Sequence, residues 1–122
     1  EIAAMRAAWP EAEVPPAPDL EARLSLPDPN DRHVLAAAIS GRADVLLTCN
    51  RGDFPARTLA RHGLALRDPD GFLRDLAAEG LDLAAVAARV RARAEAASGR
   101  PQPLRPLLRR AGLPRLGKAL DG

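Results

Sequence analysis

A chain of 122 residues is long enough for one domain, or for one domain with a tail. Hydrophobic residues make up 47% of it but aromatic residues only 2%, so alanine and leucine must fill the core of a helix-rich fold. The single cysteine, Cys49, excludes an intrachain disulfide framework and fits a reducing cytoplasm. No apolar run reaches about 18 residues. We therefore predict a cytoplasmic protein with neither a membrane span nor a signal peptide.

The net charge of +2 is unevenly distributed along the chain. Residues 1–88 hold 9 arginines and 14 acidic residues, a net charge of −5. Residues 89–122 hold 8 arginines and 1 lysine against 2 acidic residues, a net charge of +7. An acidic body with a basic tail is typical of proteins that meet nucleic acid or an acidic partner. A solvated, arginine-rich helix face would give the same composition, so both interpretations stay open.

In the first half of the chain, the hydrophobic pattern alternates between helix and strand. Residues 1–9 predict the end of a helix, and the proline-rich residues 11–19 predict a loop. The clearest helix covers residues 29–40, where apolar side chains recur at helical spacing. Residues 44–48 predict a strand too apolar to be an edge, and we expect it to be buried in a parallel sheet.

The second half of the chain continues this alternation and then becomes wholly helical. The predicted elements are a helix from Pro55 to about His62, a strand over 64–67, a helix capped by Asp68, a longer helix that Asp82 caps and that runs to about Ser98, and short helices over 104–111 and 114–120. This order predicts an α/β fold with a parallel sheet, followed by a helical extension. We place the first domain at residues 1–80 and the basic helical extension at residues 81–122.

Polar residues gather at the predicted end of the first strand. Thr48, Asn50 and Asp53 follow it directly, and in open parallel sheets functional sites form at the carboxyl ends of strands. Asp31 lies near the start of the helix at 29–40, where the helix dipole favours a negative charge. Carboxylates from a helix start and a strand end can converge on Mg²⁺ or Mn²⁺, which prefer oxygen ligands. Such an ion polarises phosphoryl oxygens and activates water.

Each of these residues also has a purely structural interpretation. Asp31 taken alone is more often a helix N-cap, and Asp53 could cap the helix that starts at Pro55. Asn50 suits a left-handed turn. We expect Cys49 to be a small buried residue, because no His–Asp arrangement accompanies it.

Two segments of the chain form a joint pattern: Asp-Arg-His-Val-Leu-Ala-Ala-Ala at residues 31–38 and Thr-Cys-Asn-Arg-Gly-Asp-Phe at residues 48–54. Taken together they resemble PIN domains, a family of metal-dependent ribonucleases. The first segment is similar to the family's central acidic helix, and the second to its Thr-x-Asn/Asp-x-x-Asp-Phe strand-end motif. The resemblance continues through residues 68–73 and covers about residues 1–76, which would be the C-terminal portion of the family fold.

The resemblance implies an endoribonuclease that cleaves single-stranded RNA with Mg²⁺ or Mn²⁺, as in bacterial toxins of the VapC type, which a cognate antitoxin silences. Matched by motif, Asp31 would be the third metal-binding acid and Asp53 the fourth. Thr48 and Asn50 would support the metal's water or a phosphate. The family's first strand and early helix, which carry its first two acids, have no counterpart in this sequence. We therefore expect the enzyme to be the full-length protein, with this chain an inactive part of it.

A sheet without its first strand would expose a strand edge, so we expect a homo-oligomer that forms through the sheet or through apolar helix faces.

One alternative function is a non-catalytic, PIN-derived module that binds protein or nucleic acid. A second alternative is a receiver-like or phosphatase-like α/β fragment. It is less favoured, because it would need an acid at the position that Thr48 occupies.

The basic tail from Arg89 to Lys118 admits two roles. It could follow the RNA backbone, or its leucines could pack on the body or on a partner while its arginines face outward. The second role is favoured, since no aromatic residues interleave with the arginines to stack bases.

Overall fold

The computed structural model describes residues 2–121. They form two compact units, a first unit that ends at Leu66 and a second unit that begins at Arg67. The helices are α1 (Ile2–Ala8), α2 (Pro18–Glu21), α3 (Arg32–Ser40), α4 (Ala56–Ala60), α5 (Pro69–Ala78), α6 (Leu83–Ser98), α7 (Leu104–Arg110) and α8 (Pro114–Leu120), and the strands are β1 (Val45–Leu47) and β2 (Ala65–Arg67). Short 3-10 turns cover Pro10–Ala12, Pro29–Asp31 and Arg51–Asp53.

The core of the first unit forms around α3. Leu35 and Ala36 of this helix are 0% and 1% exposed, because the helical repeat places them on one face. The buried cluster consists of Leu24, Leu35, Ala36, Phe54, Leu59 and Leu64. Helix α1 lies outside this cluster and has no buried residue, although its predicted position is confirmed from Ile2 onward; Glu1 lies outside the described residues.

The chain is mostly helical with a small parallel sheet, as the predicted α/β class requires. The expectation that the first strand is buried and central is wrong. Within the described residues, β1 and β2 form a two-stranded sheet, so β1 pairs along one edge alone. Val45 and Leu46 are half-buried and Leu47 is 43% exposed. The apolar composition of a strand indicates that its faces contact other apolar residues, but it does not indicate how many strands pair with it.

The second unit contains the helices α5 to α8, and the helices predicted after residue 81 are observed as α6, α7 and α8. Asp82 caps α6 by accepting a hydrogen bond from the Ala85 N–H at 3.1 Å, and α6 ends at Gly99 with φ +68°. Helix α8 packs against α5 and α7. The compact units do not test the predicted domain boundary at residue 80, which stays a prediction.

No helix in residues 2–121 has the length and apolar character needed to cross a membrane.

Candidate functional site

Asp31 lies where a capping residue would be expected, but its side chain does not cap. It ends the 3-10 turn at Pro29–Asp31 and is the N-cap residue of α3, yet its carboxylate makes no capping hydrogen bond. Asp28 takes the capping role in the preceding turn, where its Oδ1 accepts a hydrogen bond from the Asn30 N–H at 2.9 Å. The Asp31 carboxylate therefore does not act as a helix cap in this structure.

The positively charged neighbour of Asp31 is directed elsewhere. The Nε of Arg32 donates a hydrogen bond to the Pro29 carbonyl oxygen at 3.1 Å. Nδ1 of His33 lies 2.8 Å from the Asn30 carbonyl oxygen, so this exposed imidazole is held against its own turn. Asp31 forms no salt bridge with any residue in the range 2–121. Its half-buried carboxylate is thus available to an external cation.

The polar segment after β1 is a compact turn. Oγ1 of Thr48 accepts a hydrogen bond from the Asn50 N–H at 3.0 Å, and the Asp53 N–H donates to the Asn50 carbonyl oxygen at 3.1 Å. Asn50 has φ −97°, so it does not take the left-handed conformation that its residue type suggested. The Thr48 hydroxyl proton is not used in this turn and can still be donated to a ligand.

Asp53 is not a cap either. Helix α4 has Pro55 at its N-cap position and no side-chain capping hydrogen bond. Like Asp31, Asp53 is half-buried and forms no salt bridge in the described part of the chain. Cys49, between Thr48 and Asn50, is exposed, so the expectation that it is buried is wrong. A turn that follows a half-exposed strand offers it no enclosed place.

One buried cluster anchors both acidic segments. Phe54, directly after Asp53, is 4% exposed, and Leu35, one helical turn after Asp31, is 0% exposed. Both side chains belong to the core of the first unit. The two acids are therefore fixed to the same core by neighbouring residues, although they are 22 positions apart in the sequence.

The donor atoms fit a hard divalent cation in kind but not in number. Mg²⁺ takes oxygen ligands in octahedral geometry, and the carboxylates of Asp31 and Asp53 are of this type. Across residues 2–121, however, no three His, Cys, Asp or Glu side chains lie together in a way that could hold a metal ion. These two acids could thus supply part of a ligand set.

A second acidic cluster, in the second unit, was missed by sequence reasoning. Asp70, at the start of α5, is 7% exposed, and its carboxylate accepts hydrogen bonds from the N–H groups of Arg115 and Leu116 at 3.0 and 2.8 Å. It thereby caps α8 from 45 positions away in the sequence. The guanidinium of Arg115 bridges both acids, with Nε 3.3 Å from Asp70 Oδ2 and Nη2 2.8 Å from Asp68 Oδ2.

The electrostatics of this cluster favour its ionised form. The Gly71 N–H, which donates to Asp68 at 2.9 Å, and the Arg115 guanidinium hold the pKa of Asp68 below its ordinary value. Hydrogen bonds to Asp70 and the charge of Asp68 raise the pKa of Arg115. A Cβ on Gly71 would lie 3.0 Å from Nη2 of Arg115, so the absence of a side chain lets the guanidinium approach.

A signal for this cluster was present in the sequence. Helix α8 begins with Pro114 and is preceded by Leu113, which has no side chain able to cap. A helix start without its own cap needs an acceptor from elsewhere in the fold. Nothing local indicated that Asp70 would be that acceptor.

Comparison with known proteins gives a partial match to a curated protein. A Mycobacterium tuberculosis protein named "Putative ribonuclease VapC50" is 47% identical over 45 residues, which are 37% of this chain and 27% of that protein. The chain thus spans about a quarter of the length of the curated relative it matches. No family model matches the chain, and no solved structure matches it.

Proposed function

We propose that this chain is part of a metal-dependent endoribonuclease that cleaves single-stranded RNA, with Asp31 and Asp53 among its metal ligands. The observation that carries the proposal is that Leu35, one helical turn after Asp31, and Phe54, directly after Asp53, pack in one buried cluster, while neither acid caps a helix or forms an ion pair within residues 2–121. The partial identity with a protein named as a ribonuclease supports the same activity.

The residues of this chain would divide the work as follows. Asp31 and Asp53 would hold Mg²⁺ or Mn²⁺ through carboxylate oxygens. The Thr48 hydroxyl would donate a hydrogen bond to a phosphate oxygen, and the Asn50 side-chain amide, exposed on the same turn, would orient that phosphate. When bound, the ion would polarise the phosphodiester and increase the acidity of the attacking water. The resemblance implies two further acids that have no counterpart among these residues, so we propose that protein outside this chain completes the site and that the chain alone would be inactive.

The family name of the matched protein also suggests the biological setting. We infer a toxin of a toxin–antitoxin pair, held inactive by a cognate antitoxin protein. This inference rests on the nuclease proposal and falls with it. We also propose a homo-oligomer, because one edge of β1 is unpaired within residues 2–121 and Leu47 is 43% exposed.

The test is metal-dependent cleavage of single-stranded RNA by the full-length protein carrying Asp31→Asn. Cleavage should be lost while the circular dichroism spectrum is unchanged, since the side chain makes no capping bond. Asp28→Asn is the matched control: it removes a charge three residues away but keeps the capping oxygen for Asn30. Equal cleavage by the two variants would exclude Asp31 from the site.

A second candidate is a non-catalytic module that binds nucleic acid or protein. The absence of a third metal-binding side chain within residues 2–121 favours it. It predicts that the full-length protein binds RNA without cleaving it at any Mn²⁺ concentration, and cleavage that requires Asp31 would exclude it.

A further inference from the structure

The arginines of the second unit fall into two groups when their partners are compared. Five of them form ion pairs with carboxylates: Arg67 and Arg74 with Asp75, Arg91 with Glu95, Arg105 with Asp121, and Arg115 with Asp68 and Asp70. The others, Arg89, Arg93, Arg100, Arg109 and Arg110, form no ion pair within residues 2–121. Among the arginines of the second unit, the positive charge that no carboxylate of residues 2–121 pairs with therefore lies on these five side chains.

Two arginines of the second group line the same cavity. This cavity, of about 520 Å³, has Arg100, Pro101, Gln102, Pro103 and Arg110 as its walls. Its walls include no acidic residue, and neither of its two guanidinium groups forms an ion pair within residues 2–121. We call it the linker pocket, because four of its five residues belong to the segment between α6 and α7.

Hydrogen bonds hold the linker pocket in shape. The Gln102 side chain accepts a hydrogen bond from Nη2 of Arg110 at 2.7 Å and donates one to Oγ of Ser98 at 2.9 Å. The Gln102 N–H donates to Oε2 of Glu95 at 3.0 Å, which fixes the linker to α6. Prolines on both sides of Gln102 restrict the backbone further. Arg110 is thus oriented by a neutral amide that leaves its charge available.

We propose that the linker pocket binds the phosphodiester backbone of single-stranded RNA. Guanidinium groups match phosphate oxygens in geometry and form charge-assisted hydrogen bonds with them. The pocket has no aromatic side chain to stack a base, so it binds the backbone without reading sequence. The choice of RNA as ligand rests on the proposed function.

An acidic peptide is the competing ligand, because arginine clusters recognise acidic motifs as well as phosphates. The walls of the linker pocket are two arginines, two prolines and an amide, so it offers a peptide no strand edge for backbone pairing. RNA is favoured because its backbone carries a negative charge at every nucleotide.

The test measures binding of a labelled oligouridylate to the 122-residue chain by fluorescence anisotropy, over a series of salt concentrations and with EDTA present. The pocket variant is Arg100→Gln with Arg110→Gln. Each phosphate contact on a single strand contributes about 0.7 to the slope of log K against log salt, so this variant should reduce the slope by about 1.4. Arg100→Lys with Arg110→Lys keeps both charges but loses the paired guanidinium hydrogen bonds, so it should weaken binding with little change in slope.

The matched control is Arg74→Gln with Arg105→Gln, which removes two charges from arginines that already have carboxylate partners. This control should leave the slope nearly unchanged. An equal decrease in slope for both glutamine variants would overturn the proposal, as would failure of the chain to bind RNA. Binding of polyglutamate in place of RNA, lost in the pocket variant, would assign the pocket to an acidic peptide and would also overturn it.

EDTA separates this result from the nuclease question, because binding is measured without cleavage. A flattened slope in the pocket variant, together with no cleavage by the full-length protein, would keep the pocket and reject the nuclease. Cleavage that depends on Asp31, with no difference between pocket and control variants, would do the reverse.

Discussion

Two pairs of aspartates at helix starts behave in opposite ways in this chain. In the second unit, Asp68 and Asp70 accept hydrogen bonds from three backbone N–H groups and contact the guanidinium of Arg115. In the first unit, Asp31 and Asp53 precede helices without capping them and without an ion pair among the described residues. The position of an aspartate relative to a helix start therefore does not determine whether protein donors engage its carboxylate.

The hydrogen-bond and ion-pair partners of the carboxylate oxygens distinguish the two pairs of aspartates. A carboxylate whose lone pairs are engaged by protein donors contributes to stability and has little capacity left for a ligand. A carboxylate without such donors keeps its lone pairs available for a bound cation. Substitutions at Asp31 and Asp53 should therefore affect activity, whereas substitutions at Asp68 and Asp70 should affect stability.

The largest expected effect is that of Asp70→Ala. It leaves the N–H groups at the start of α8 and the Arg115 guanidinium without their buried acceptor, so the free energy of unfolding should fall by about 2–4 kcal/mol. Urea unfolding followed by far-ultraviolet circular dichroism measures the change. A loss no larger than that of Asp31→Ala would remove the contrast between the two pairs.

The next effect is that of a simple cap. Asp82→Ala removes the hydrogen bond to the Ala85 N–H at the start of α6 and should cost about 1 kcal/mol. Asp53→Ala removes no capping bond and should change the same free energy by less than about 0.5 kcal/mol. Similar losses in the two variants would mean that Asp53 has a structural partner after all.

The pH dependence of stability should also distinguish the pairs. The Gly71 N–H and Arg115 lower the folded-state pKa of Asp68 below its ordinary 3.8. Its contribution is present above that value and is lost as pH falls through the lowered pKa, where the folded state must take up a proton. Asp68→Asn keeps a capping oxygen but cannot titrate, so unfolding curves should show a shallower loss of stability at acid pH. An unchanged slope would show that Asp68 makes no such contribution.

The sequence predicted the local features of this fold well. Helix α8 was predicted at its observed bounds, and Asp68 and Asp82 were predicted as caps, because propensity, proline position and capping are local properties. The hydrophobic pattern likewise located β1 and β2 to within a residue or two.

What the sequence did not predict depends on distant parts of the chain. The apolar run at β1 suggested a central strand, whereas the described residues provide one neighbour for it. The contact between Asp70 and the start of α8 joins residues 45 positions apart, which no local pattern encodes. The motif resemblance selected Asp31 and Asp53, but only the structure reveals that neither residue is used as a cap.

The most direct test of the difference between the two pairs is a Mn²⁺ titration of the ¹⁵N-labelled 122-residue chain, followed by NMR. Bound Mn²⁺ broadens the signals of nearby amides, so weak binding at a partial ligand set can be located. We predict that broadening begins at Asp31 and at residues 48–54, is lost in Asp31→Asn and persists in Asp28→Asn. Broadening that begins at Asp68 and Asp70, or that is unchanged in Asp31→Asn, would contradict this prediction.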